Sequence, residues 1–450
     1  MSATLPLTRQ AVFAQAWPIM LGQASIPLVG IVDTIVIGRT GDAIALAGVA
    51  LGAMIINLIF WSFGFLRMGM TGLTAQADGA GERNEVDALL LRGLMIGGAI
   101  GLALLVLQYP LSQLAFALLA GGDGVTAEAS NYVLICFFGA PASLAVFAIT
   151  GWMFGLGKTR HALALQIVMN VVNIALDVWL VWGLDMGVRG VAIGTMAGQW
   201  VALVTGIVLA SHLAGLHPFA LARKLGRDRL FDPAAIRKLF EVNRDIMIRT
   251  IALLVMFTWF TNAGARLGAT TLAANHVLMQ FVSVAAFILD AFAFTAESRV
   301  GNAIGARSRS HFLRAIRLTG EFCLAAGIAL ALLFWFAGGL AINFITTDVD
   351  VRAIAGHLLP FAAAVPLLGV LSWMLDGIFI GATRGRALRN AAIAATALYI
   401  AIDIALRPLD TTGVWIALLI AYLLRAAALG LAFPALMRSL DEPQPQTGSG

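Results

Sequence analysis

The chain has 450 residues, of which 60% are hydrophobic and only 12% charged, and its formal net charge is +5. Ordinary soluble domains carry roughly 25% charged and about 45–50% apolar residues, so this composition excludes an ordinary water-soluble protein. Apolar runs of about 18 or more residues, long enough to cross the hydrocarbon core of a bilayer, recur along the whole sequence. Because lipid offers backbone groups no hydrogen-bond partners, each run is expected to be an α-helix.

These runs predict an all-α polytopic membrane protein with twelve transmembrane helices. In chain order, the predicted spans lie near residues 11–38, 45–74, 91–119, 129–154, 161–182, 190–213, 244–266, 271–297, 312–338, 351–380, 388–407 and 413–436. The longest connection is basic and divides the spans into two sets of six. We therefore predict an N-terminal six-helix lobe (1–213), a cytoplasmic interfacial linker (214–243), a C-terminal six-helix lobe (244–437) and a disordered cytoplasmic tail (438–450).

The distribution of Lys and Arg predicts the orientation, since these residues stay on the cytoplasmic side during insertion. With the N-terminus inside, five of the 29 basic residues fall in outer loops, two fall within spans, and the rest lie on the inner side. We expect a multi-pass protein of the bacterial inner membrane with both termini cytoplasmic. The positive charge then faces anionic lipid head groups and requires no nucleic-acid partner.

The two halves resemble each other at an offset of 226 positions. The segment GWMFG at 151–155 parallels GIFIG at 377–381, and Asp177 corresponds to Asp403. Because each copy has six spans, both copies keep the same orientation, and we expect an axis along the membrane normal with the substrate site between them. A two-lobed single chain of this kind favours alternating access over a channel.

Two carboxylates in the first half are predicted to form a buried site. A carboxylate at the bilayer centre costs at least about 2.5 kcal/mol, so each one requires a reason. Asp33 lies late in the first span, after Pro27, which can bend that helix. Asp177 lies late in the fifth span at helical spacing from two asparagines, so the three project from one face. The other predicted members of this site are Asn170, Asn173 and Thr195.

This set of side chains suits two coupling ions. Its oxygen atoms could bind a bare Na⁺ at Asp33 and Asp177, although the pattern establishes no firm metal site. The two carboxyl groups could equally share a proton, because burial and a neighbouring carboxylate both disfavour a second negative charge. The alternative interpretation is that Asp177 bonds Asn173 and Thr195 only to fix helix packing.

Other polar residues within spans are weaker candidates for a cleft in the second lobe or for substrate contacts. They are Asp290, Asp376, Asp403, His276 and Arg67. Asp403 could instead neutralise Arg407 one helical turn later. Arg67 could pair with a carboxylate or snorkel to the inner face, and His276 could be a hydrogen-bonded packing residue.

Several motifs resemble those of a known family. Asp33-Thr34, ahead of a Gly-Arg-x-Gly segment at 38–41, resembles the first span of the multidrug and toxic compound extrusion (MATE) family. FGFLRMGMTG at 63–72 resembles the signature of its DinF-like branch, as does LDAFA at 289–293. The resemblance covers residues 10 to 437 and implies two pseudo-symmetric six-helix bundles that form a V-shaped central cleft.

The resemblance also implies roles for individual residues. The N-lobe coupling cluster of DinF-like relatives matches Asp33, Asn173, Asp177 and Thr195, with Asn170 one turn away, and the bending first helix implies a conformational hinge at Pro27. The sequence departs from the branch at His276, where a small residue is typical, and at Ala291, where Gly is usual. Both departures lie outside the cluster and concern substrate contacts of the second half.

We therefore expect a secondary active multidrug exporter, not an enzyme, that needs no cofactor and acts as a monomer. It would exchange small amphipathic, cationic, drug-like compounds against inward H⁺, with Na⁺ the less favoured ion. The alternative is a lipid-linked precursor flippase of the same superfamily. A flippase needs cationic residues in its cleft to hold a pyrophosphate, and the predicted spans offer only Arg67 and Arg425.

Overall fold

The computed structural model describes residues 6–119 and 122–441, and within these ranges the chain is helical with no strand. The helices of the first half are α1 (Arg9–Gly38), α2 (Ala43–Ser62), α3 (Phe65–Gly79), α4 (Arg83–Val106), α5 (Gln108–Leu118), α6 (Asp123–Phe137), α7 (Ala140–Gly155), α8 (Thr159–Val178) and α9 (Gly187–Ala214). The later helices are α10 (Pro218–Leu230), α11 (Pro233–Arg266), α12 (Ala269–Gly305), α13 (Arg309–Ile345), α14 (Val349–Gly381), α15 (Gly385–Ala405) and α16 (Asp410–Asp441). A π-helical turn, Trp179–Gly183, follows α8, and a 3₁₀ turn, Arg407–Leu409, precedes α16.

Eleven helical segments in the described ranges are long and apolar enough to cross a membrane. A twelfth span results when α6 and α7, which meet at a 55° bend, count as one broken span. The bend falls at Gly139, and Pro141 in the first turn of α7 has no backbone N–H with which to continue α6. The predicted all-α polytopic fold is therefore confirmed, and its count of twelve includes the broken span.

The third span is shorter than predicted. The sequence indicates one helix over 91–119, but α4 ends at Val106 and the separate helix α5 begins at Gln108. Pro110 explains the break, because it lacks the N–H that would bond to the carbonyl of Val106 four residues earlier, and proline is tolerated in the first turn of a new helix.

The basic connection between the halves forms α10, with an interruption at Gly226, whose φ is +73°. The fully buried Arg92 of α4 holds the end of this helix by donating to the carbonyl groups of Arg229 (2.6 Å) and Leu230 (3.0 Å). Residues 233–243 are the first part of α11, which starts at Pro233 and ends at Arg266.

The chain divides into two compact units. The N unit comprises Trp17–Thr74 and Glu82–Asn243, and the C unit comprises the chain up to Ala16, Ala75–Gly81 and the part that starts at Arg244. The last helix, α16, extends to Asp441, within the segment predicted as a tail. The rest of that predicted tail, 442–450, lies outside the described residues.

The internal duplication recurs in the backbone. Gly81 and Arg307, 226 positions apart, both have positive φ, at +75° and +52°. Gly157 and Thr383, separated by the same offset, have φ of +67° and +53°. Helix packing repeats as well, since Gly151 lies against the carbonyl of Arg67 in the N unit as Gly377 lies against that of Ala293 in the C unit. Both halves are therefore copies of one helical plan, as the sequence predicts.

Candidate functional site: a buried carboxyl pair

One face of α8 carries the polar residues predicted from their spacing. Asn170, Asn173 and Asp177 are all buried, and Asp177 has no exposed surface. The helix ends one residue later, and the π-helical turn Trp179–Gly183 follows directly. Such turns distort helices at functional sites more often than elsewhere.

Helix α1 brings Asp33 to this face. Its side chain is 6% exposed, and its carboxyl group lies within hydrogen-bonding reach of the Asp177 carboxyl group. Asn173 is the other polar side chain beside Asp177, yet neither Asp177 oxygen meets ordinary hydrogen-bond geometry with a donor among the described residues. Since two buried carboxylates repel each other, the pair requires a proton or a cation between its oxygen atoms.

The other predicted members lie on α8 and α9. Asn173 Nδ2 donates to Thr195 Oγ1 on α9 at 3.3 Å. Asn170 Nδ2 instead donates to Ser25 Oγ on α1 at 2.9 Å. Asn173 and Thr195 are therefore bonded to each other next to Asp177, while Asn170 contacts α1 about two helical turns before Asp33.

Two further residues belong to the cluster, and sequence reasoning missed them. Ser25 joins α1 to Asn170, as described above. The hydroxyl of Tyr132 on α6 bonds with Thr195, and this side chain is 3% exposed. A tyrosine hydroxyl in an apolar span is a signal for a buried polar partner, but the spacing on α6 alone does not reveal which helix lies opposite.

Glycine on α9 creates the space that Asp177 occupies. A Cβ atom on Gly194 would overlap Asp177 Oδ1, and one on Gly198 would lie 3.2 Å from the Cβ of Asn173. Glycines four residues apart let two membrane helices approach closely. The burial of the Asp177 side chain therefore depends on the glycines of α9 as well as on α8.

Pro27 lies within α1, which continues as a helix from Arg9 to Gly38. The C-terminal end of α1 is attached to the π-helical turn, because Trp182 Nε1 donates to the carbonyl of Val36 at 3.0 Å. The guanidinium of Arg39 lies 5.6 Å from the centre of the Trp182 ring. The part of α1 that follows Pro27 and carries Asp33 is thus held in place by its contacts with Trp182.

Comparison with known protein families identifies the family of this chain. The MatE family model matches residues 18–179 and 246–405, two segments of nearly equal length that together cover most of the chain. This chain belongs to the MatE family. The two matched segments begin 228 positions apart, as expected for a duplicated transporter.

Named relatives agree with the DinF-like branch that the motifs predict. The MatE chain is 34% identical to DNA damage-inducible protein F of Escherichia coli over 438 residues, which is 97% of this chain and 93% of the relative. It is 24% identical to the probable multidrug resistance protein NorM of Acinetobacter baylyi, with 79% of each chain covered. It is therefore a homologue of MATE multidrug efflux transporters.

Solved structures confirm the MatE fold. The bent form of the MATE transporter VcmN from Vibrio cholerae aligns with a TM-score of 0.80 at 20% identity, covering 96% of this chain and 98% of the other. A MOP superfamily transporter from Pyrococcus furiosus aligns with a TM-score of 0.82 at 17% identity over 97% of each chain. That second protein is described as having a binding pocket of reverse polarity that suggests a different function.

The second half of this MatE protein carries a different set of side chains at the equivalent positions. At an offset of 226, Trp259 replaces Asp33, Tyr399 replaces Asn173, and Asp403 corresponds to Asp177. Trp259 Nε1 donates to Asp403 Oδ2 at 2.8 Å, and Arg266 pairs with the same oxygen at 3.2 Å. Asp403 therefore pairs with Arg266 from α11.

Asp376 is also neutralised by arginine. Its Oδ2 atom accepts from Arg425 at 2.8 Å and from Arg249. Arg249 lies within α11, and its side chain is 11% exposed. Asp376 thus belongs to an ion-paired group of the C unit.

The remaining candidates do not join the carboxyl pair. Asp290 is half-buried in the C unit, near Cys323 and Tyr422. His276 is exposed, 3.5 Å from Gln280 Nε2. Arg67 lies in the N unit with its guanidinium 5.7 Å from the centre of the Phe154 ring. Across the described ranges, no group of three or more His, Cys, Asp or Glu side chains is arranged to hold a metal ion.

Proposed function

We propose that this protein is a secondary active exporter that exchanges amphipathic organic cations against inward H⁺ by alternating access. The relatives NorM and MdtK are named as multidrug resistance proteins, which supports drug-like substrates. The observation that carries the coupling proposal is the buried contact between the carboxyl groups of Asp33 and Asp177. The net charge of this carboxyl pair changes when it binds one cation.

The proposed mechanism is competition between the coupling ion and the exported cation. With the pair singly protonated, its remaining negative charge attracts an organic cation strongly, because the site is poorly hydrated. A proton that enters from outside neutralises the pair and removes that attraction, so the drug leaves outward. Pro27 is the proposed hinge at which α1 bends between the two states. The lobes that alternate are those predicted at 1–213 and 244–437, in a monomer with cytoplasmic termini.

A substitution at Asn173 can distinguish coupling to H⁺ from coupling to Na⁺. A shared proton requires only the two carboxyl groups, whereas Na⁺ would also use Asn173 Oδ1, a buried oxygen with no hydrogen-bond donor among the described residues. The substitution Asn173→Leu removes this ligand and leaves both carboxyl groups in place. We expect it to weaken Na⁺-driven export much more than H⁺-driven export.

The test is ethidium export from proteoliposomes or inverted vesicles under an imposed pH gradient or an imposed Na⁺ gradient. We expect export under the pH gradient, and a loss of at least about tenfold in Asp33→Asn and in Asp177→Asn, since each variant removes the titrating group. Asp403→Asn is the matched control, because its carboxylate already accepts from Trp259 and Arg266. Normal uphill export by Asp33→Asn would refute the assignment. Correctly inserted protein that exports under neither gradient would favour the lipid-precursor flippase.

A further inference from the structure

One ion-paired group in the C unit contains two positive charges and one negative charge. Arg249 on α11 and Arg425 on α16 both donate to one oxygen of Asp376 on α14, so two guanidinium groups share a single carboxylate. The three side chains are 11%, 7% and 8% exposed. A buried charge is stable only when it is compensated, so a further anion bound beside this group would stabilise it.

Unused hydrogen-bond donors in the same place indicate where that anion would bind. The Nε–H groups of Arg249 and Arg425 are both buried with no acceptor among the described residues. The hydroxyl of Ser372, one helical turn before Asp376, is likewise buried without a partner in that part of the chain. Nearly all buried donors in native proteins are hydrogen-bonded, so three unused donors around one ion-paired group point to a ligand.

The surroundings favour a small anion. The guanidinium of Arg425 lies 5.9 Å from the centre of the Tyr422 ring, and that ring stacks on Trp373 with 5.1 Å between centroids. These aromatic side chains exclude water from one side of the group. The carboxyl group of Asp290 also lies within electrostatic range of Tyr422.

We propose that Arg249 and Arg425, together with Ser372, form a binding site for a small monovalent anion in the C unit. The bound group is either chloride or the carboxylate of an exported compound, since a guanidinium fork accepts both. If it is a substrate carboxylate, the exporter takes zwitterions as well as cations, and that extension rests on the proposed function. The chloride form is independent of it.

The test is thermal unfolding of the purified full-length protein at constant ionic strength in sodium chloride, acetate or benzoate, with the sodium salt of the bulky sulfonate MES as the reference. A ligand that binds only the folded state raises the unfolding temperature saturably, and we expect a rise of at least about 2 °C over the reference salt. A rise with chloride alone assigns an inorganic anion, and a rise with the carboxylates alone assigns a substrate group. Equal unfolding temperatures in all four salts would overturn the proposal.

Three variants locate the effect. Arg249→Gln and Arg425→Gln should lose the anion-dependent rise, whereas the control Arg266→Gln, which removes an arginine paired one-to-one with Asp403, should keep it. Asp376→Asn removes the competing carboxylate and keeps both guanidinium groups, so its half-saturating anion concentration should fall by at least about tenfold. A purely structural ion-paired group predicts instead that Asp376→Asn is destabilised equally in every salt.

Discussion

The aspartate at the end of the fifth span has a counterpart in the second half, but the two carboxylates have opposite surroundings. Asp177 faces Asp33, another carboxyl group, while Asp403 accepts from Trp259 and Arg266. The first arrangement suits the proposed binding and release of a cation. The second is already compensated, because a guanidinium and an indole N–H occupy one oxygen. Equivalent residues in a duplicated chain thus carry different chemistry.

This difference predicts that Asp403→Asn leaves coupling intact. The amide oxygen still accepts from Trp259, while the ion pair with the partly exposed Arg266 is lost, so the free energy of unfolding should fall by about 1–2 kcal/mol. Ethidium export should stay within about twofold of wild type with the same pH dependence. The measurement is a pH series of export rates beside a thermal unfolding curve. A shifted pH profile would mean that the second half also binds the coupling ion.

At the level of helices, the approach of α9 to α8 fixes the carboxyl pair. Gly194 leaves room for Asp177 Oδ1, and Gly198 lies against Asn173. The polar face of α8 therefore packs against the glycine face of α9. The π-helical turn that follows Asp177 is anchored to α1 through Trp182. The geometry of the carboxyl pair therefore depends on α1, α8 and α9, and a substitution in any of these helices can disturb it.

The prediction for this scale is that Gly194→Ala impairs export without changing a charge. The new methyl group would overlap the Asp177 carboxylate, so either the carboxylate rotates or the helices separate, at a cost of about 1–3 kcal/mol. Gly98→Ala on α4 is the control, because nothing lies within 4 Å of its Cβ position. Export and unfolding temperature would be measured for both. Wild-type export by Gly194→Ala would show that α9 does not position Asp177.

Helical periodicity made the N-lobe cluster predictable, and it also limits what a single sequence can tell. It placed Asn170, Asn173 and Asp177 on one face of α8, and the hairpin placed Thr195 beside them. It does not say which distant helix lies opposite, so Ser25, 145 positions from its partner Asn170, was missed. The pairing of Arg249 with Asp376, 127 positions away, was missed for the same reason. The early end of α4 was predictable in principle from Pro110.

At the scale of the whole molecule, duplication and divergence explain why the charges are unevenly distributed. The MatE model matches both halves, and the glycine contacts and positive-φ turns recur at one offset. The packing plan has therefore been retained in both copies. The polar residues have not, since the N unit holds the carboxyl pair and the C unit holds carboxylates compensated by arginine. We infer that one copy couples to the ion, while the other binds groups of opposite charge.

The basic connection between the copies predicts the orientation of the whole chain in the membrane. Lys238 is exposed just before the membrane part of α11, and Val349, 75% exposed, begins α14 at the opposite predicted side. Both native cysteines are buried and free, so replacing Cys136 and Cys323 by serine gives a background for single-cysteine labelling. In intact cells, a membrane-impermeant maleimide should label Val349→Cys at once and Lys238→Cys only after permeabilisation, because inner loops hold the positive charge. The reverse pattern would place the termini outside, and the proton that drives export would then have to reach Asp33 from the other side.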